Sequence, residues 1–154
     1  MKYTPIDNSL YIENRARFVQ HLKPNSVAVF NSNDMMPTNA DGLMPFRQNN
    51  DLLYLTGVDQ EESVLVIAPN ASNPKHREIL FVKETSELIA IWEGEKLNKA
   101  SATKQSGVQT IYWLTQMEAV LHELICEATH IYLNQNEHLN HEQKQELNPL
   151  SCYP

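Results

Sequence analysis

Hydrophobic positions along the chain fall into alternating helical and strand-like patterns. Ile12, Ala16, Val19 and Leu22 recur at helical spacing behind Asp7 and Asn8, either of which can cap, and Lys23-Pro24-Asn25 closes the segment. The apolar runs Val27–Phe30, Val64–Ile67 and Ile79–Val82 predict buried strands, the last two joined by the turn-rich PNASNP stretch. Thr85 or Ser86 can cap a short helix running to Trp92, with Gly94 behind it. A strand near Thr110–Trp113 leads into a helix over 115–128, whose stripe is Met117, Val120, Leu121, Leu124 and Ile125, and His130–Leu133 predicts a final strand. Strands alternating with helices imply an α/β layer structure with a largely buried sheet.

Two stretches break the pattern. Residues 31–45 are rich in Asn, Asp and Pro and predict a long loop, a length that compact domains reserve mostly for function. Directly behind it stands MPFRQNNDLLYLTG, in which a proline that fixes φ, five hydrogen-bonding side chains and a glycine at the exit specify a shape. From Asn134 onward the chain is polar, so the expected division is a domain over 1–135 and a tail over 136–154.

Composition narrows the function classes. At 154 residues the chain is the size of one domain, and its net charge of -7 opposes binding to nucleic-acid phosphates. The N-terminus lacks an apolar signal core, and no apolar run is long enough for a membrane span, which predicts a cytoplasmic protein with no membrane partner. Cys126, inside a helical pattern, and Cys152, near the end, do not predict a structural disulfide. Asn70-Ala71-Ser72 matches a glycosylation sequon, which carries no meaning without secretion.

Candidate chemistry is sparse. Glycines stand isolated at 42, 57, 94 and 107, so there is no phosphate cradle, and no G-x-S-x-G elbow occurs. His122-Glu-Leu-Ile-Cys126 has the form of the zinc helix H-E-x-x-H with Cys in the last place. Two ligands on one helix face are geometrically possible, but no third has a recognisable spacing, and the plainer reading is a polar outer face. His138 and His141 likewise lie three apart in the charged tail, where surface composition is the plainer reading. The residues assemble no complete catalytic apparatus and no metal site of this chain's own.

PFRQNNDLLYLTG, then VLVIAP, ILFVK and IWEGEKL, in this order and separation, resembles the N-terminal domain of aminopeptidase P, the Xaa-Pro aminopeptidases of the creatinase/prolidase superfamily. The resemblance runs from the first helix to about His130. It departs where Val58-Asp59-Gln60-Glu61 replaces an aromatic residue and a Glu-Pro pair, and where Thr38 stands in place of a common Arg. The resemblance implies a layered mixed sheet flanked by helices, of the ribonuclease H-like type. It also implies a parent enzyme that removes the N-terminal residue from peptides with proline second. The ligands of that enzyme's two divalent metals, typically manganese, lie in a C-terminal pita-bread domain beyond Pro154, so this chain alone is expected to be inactive. Implied partners are that catalytic domain, further copies in a homo-oligomer, and the peptide substrate.

By the same resemblance, Asp41 matches a loop acid that approaches a neighbouring subunit's site and can pair with the substrate's α-ammonium group, although an Asp before Gly42 also suits a turn. Trp92 matches the Trp of W-x-G, which can close over the substrate or simply pack. Arg47, Gln48 and Asp51 are expected to organise the loop that presents residues 38–46. The competing readings are a stand-alone peptide- or protein-binding module without peptidase activity, and the N-terminal domain of a prolidase or creatinase.

Overall fold

The computed structural model describes residues 6–39, 42–86 and 96–134. In chain order these form α1 (Ser9–Val19), β1 (Ser26–Asn31), α2 (Asn50–Thr56), β2 (Ser63–Ile67), β3 (Glu78–Val82), α3 (Lys99–Ser106), β4 (Thr110–Trp113), α4 (Met117–Glu127) and β5 (His130–Leu133). The sheet order is β4-β3-β2-β1-β5. β2 pairs antiparallel with both β1 and β3, whereas β4 lies parallel to β3 and β5 parallel to β1.

The central strands read as unbroken apolar runs because both faces of the sheet are covered. On one face Ala28, Phe30, Leu65, Leu80 and Val82 pack with Leu52 and Leu55 of α2, Ala102 of α3, and the partly buried Phe18, Val19 and Leu22. On the other, Val29, Val66, Ile79 and Phe81 pack with Leu121 and Leu124 of α4. The expected layered α/β architecture with a mixed sheet is therefore the observed one.

α1 departs from its apolar pattern. Ile12 is 45% exposed, whereas Asn14 and Arg15 are buried. The Arg15 guanidinium donates to the carbonyls of Leu55 (2.8 Å) and Ser106 (2.9 Å) and pairs with Glu78 (3.0 Å), while Asn14 donates to the Tyr54 carbonyl (2.8 Å). These acceptors sit at helix C-termini, where carbonyls lack intrahelical partners. A polar pair thus docks α1 onto the ends of α2 and α3.

α2 and α3 were not legible as helices, and they share one design. Asn49 and Asn98 cap their starts through side-chain oxygens, and Gly57 (φ 68°) and Gly107 (φ 74°) end them in the left-handed region. Thr56 and Ser106 each donate their hydroxyl to the carbonyl four residues back and accept from the amide two residues on. At Gly57 a Cβ would lie 2.3 Å from the Tyr11 ring, so close approach as well as φ requires glycine there.

Candidate functional site

The segment ahead of α2 is built from inward-pointing amides. Gln48 is buried, and its Nε2 donates to the carbonyls of Val58 (3.1 Å) and Gln60 (2.8 Å) while its Oε1 accepts from the Asn49 amide (2.9 Å). Asn49 Oδ1 accepts from the amides of Asp51 (2.9 Å) and Leu52 (3.4 Å), which starts α2. Asn33 Nδ2 reaches the Arg47 carbonyl (3.1 Å) and ties the segment to the end of β1. Upstream, the chain folds back on itself: Met44 donates to the Met36 carbonyl and Thr38 to the Gly42 carbonyl, each at 2.8 Å. This turn leaves Met36, Leu43 and Met44 exposed.

Residues 58–61 pass the connection on. Gln60 Oε1 accepts from the Leu97 amide (2.7 Å), and Glu61 is hydrogen-bonded and ion-paired to Lys96, with side-chain exposures of 15% and 16%. The exit of β3 and the start of α3 meet here around a polar cleft of about 720 Å³, lined by Gln60, Glu61, Ser86, Lys96, Leu97 and Ser101 among others. Burial alone would raise the Glu61 carboxyl, but hydrogen bonds from Lys96 and its own backbone, with the charges of Lys96 and Lys83, hold it below the ordinary carboxylate value. Gln60 Nε2 is buried without a hydrogen-bond partner. Cleft and ties together can hold two loops in fixed register. They hold no nucleophile poised against a base and, among the described residues, no group of three or more His, Cys, Asp or Glu placed to grip a metal ion.

The family model for the aminopeptidase P N-terminal domain matches residues 11–132. The chain belongs to this family. Among its relatives, the Xaa-Pro aminopeptidase of Escherichia coli is 27% identical over 124 residues, 80% of this chain and 28% of the relative. Xaa-Pro aminopeptidase 3 of Dictyostelium discoideum is 34% identical over 85 residues, 54% of this chain and 16% of the relative. Among solved structures, Escherichia coli aminopeptidase P with the inhibitor Pro-Leu superposes with a TM-score of 0.75 at 27% identity, covering 87% of this chain and 30% of that one. Pseudomonas aeruginosa aminopeptidase PepP shares the fold, with a TM-score of 0.79 at 24% identity over 88% of this chain and 30% of that one. The chain thus spans about a third or less of the relatives it matches, which are longer proteins with a further C-terminal part.

In this aminopeptidase P domain, Gln48 of the PFRQNND block and Lys96 and Leu97, the described end of IWEGEKL, meet at Gln60 and Glu61. Arg47 and Asp51 lie exposed near the start of α2 with no ion pair between them, and Arg47 takes part through its backbone carbonyl. Asp41, Trp92, the helix expected over 85–92 beyond Ser86, and the tail 136–154 lie outside the described residues. Sequence reasoning missed Gln60, Glu61 and Lys96 as a connected group. Their only signal was adjacency to the two blocks, since partners 35 to 37 residues apart show no periodicity.

Proposed function

We infer that this domain is the non-catalytic N-terminal part of an Xaa-Pro aminopeptidase, and that it shapes the active-site entrance and contributes to a homo-oligomer. The observation that carries the reading is the family match over 11–132, joined to the fold of Escherichia coli aminopeptidase P over 30% of that enzyme's chain. The inhibitor bound there, Pro-Leu, is consistent with substrates that carry proline second. By the resemblance, the two divalent ions of the parent reaction, manganese, are held by a C-terminal catalytic domain.

Its own contribution is positional. Gln48 and Asn49 fix the segment that follows the 36–44 turn, while Gln60 and Glu61 fix the chain where it emerges after the W-E-G sequence. Asp41 and Trp92, which flank these ties in sequence, are the residues assigned to the substrate. The exposed Met36, Leu43 and Met44 supply apolar surface for a second subunit or for the catalytic domain. Among the described residues no helix is long and apolar enough to cross a membrane.

The test is to join the domain to the catalytic part encoded with it and assay an Xaa-Pro peptide. Trp92→Ala and Asp41→Ala should each lower kcat/KM while metal content and oligomer size stay constant. Unchanged kinetics in both variants would remove the entrance role. A coding frame with no second domain would overturn the peptidase reading and leave the stand-alone binding module.

A further inference from the structure

α4 carries a pair of side chains that the proposed function does not use. His122 and Cys126 stand one helical turn apart, both exposed, with Cys126 Sγ 3.8 Å from His122 Nε2. The helix beneath them is fixed by Leu121 and Leu124, which are buried in the core against the sheet. Both residue types are metal ligands, and a thiolate with an imidazole selects zinc-class cations over hard ones such as magnesium or calcium.

The spacing matches the bite of one ion. Zinc–sulfur and zinc–nitrogen bonds of about 2.3 and 2.0–2.1 Å, at a near-tetrahedral angle, place the two donor atoms roughly 3.5 Å apart. The observed 3.8 Å differs by an amount that a small side-chain rotation absorbs. Because α4 is already packed, binding need not order any backbone, which is the cost that weakens flexible two-ligand sites. Nε2 is the ring nitrogen that faces the sulfur, so the neutral imidazole can offer its lone pair from that side.

We propose that His122 and Cys126 form a two-residue chelate for a zinc-class divalent cation, with water in the remaining positions. Binding forms one metal–sulfur and one metal–nitrogen bond and releases the thiol proton to solvent, so affinity falls as pH is lowered. Glu118, one turn earlier on the same helix, adds negative charge on this face. The site has only two protein ligands, both exposed, which makes it an exchangeable site.

Cobalt(II) reports this directly, since a cobalt–thiolate bond gives a near-ultraviolet charge-transfer band. The 154-residue chain titrated with cobalt chloride should show a saturable band that added zinc removes. Cys126→Ser should abolish the band. His122→Ala should weaken binding by more than the roughly 10- to 100-fold typical of losing an outer-shell partner. Cys152→Ser should leave the band intact. Both positions on α4 are exposed, so the variants should keep the parent circular dichroism. No band, a band that persists in Cys126→Ser, or affinity unchanged in His122→Ala would overturn the proposal.

Discussion

The carboxamide of Gln48 donates to the main-chain carbonyl of Gln60 at 2.8 Å, and Gln60 in turn accepts the Leu97 amide at 2.7 Å. Two sequence blocks well apart along the chain are joined through the side chains of Gln48 and Gln60. Gln48→Ala should leave the Val58 and Gln60 carbonyls without their donor and cost about 1–3 kcal/mol of stability, read by urea denaturation. Gln48→Glu should be no better, because a carboxylate offers no donor to either carbonyl. Full stability in Gln48→Ala would show that the link is dispensable.

Arg15 meets two helix ends and a strand with one planar group. Arg15→Met keeps apolar volume but leaves the Leu55 and Ser106 carbonyls bare, and the loss should be at least about 2 kcal/mol. Arg15→Lys should recover only part of it, since an ammonium lacks the fork that reaches both carbonyls and Glu78 together. Equal stability of the Lys variant and the parent would overturn the role of the fork.

Gly57 combines a left-handed backbone with the Tyr11 ring 2.3 Å from where a Cβ would be. Gly57→Ala should cost more than the ~1–2 kcal/mol of the backbone conformation alone. Tyr11→Ala in the same background should relieve part of the excess, a coupling that a double-mutant cycle measures. Purely additive costs would mean that the ring does not press on this position.

Glu61 sets an acid dependence. Its folded-state pKa lies below the ordinary 4.5, so the stability it contributes is present above that value and is lost as pH falls through the lower folded value. The melting temperature of Glu61→Gln should therefore fall below the parent's at neutral pH, and the two should converge in acid. A gap that stays constant from pH 7 down past the carboxylate range would show that the ion pair with Lys96 contributes nothing.

Much of the fold was legible in the sequence. VAVF, VLVI and ILFV could be read as strands because a sheet covered on both faces needs no polar alternation. α4 was legible because its stripe is long and regular, and the family followed from two ordered blocks. α2 and α3 escaped because they are 7 and 8 residues long and are held by caps, hydroxyls and a terminal glycine rather than by an apolar stripe.

The sequence by itself determined the buried strands, the longest apolar helix and the family, since those depend on local periodicity and on residues in fixed order. Only the tertiary structure decided that Arg15 is buried, that Gln48 answers Gln60, and that Lys96 pairs with Glu61. Each of those side chains takes its meaning from a carbonyl or carboxylate distant along the chain. Such hydrogen bonds need one partner at one distance and angle, so they leave no repeat in the sequence to read.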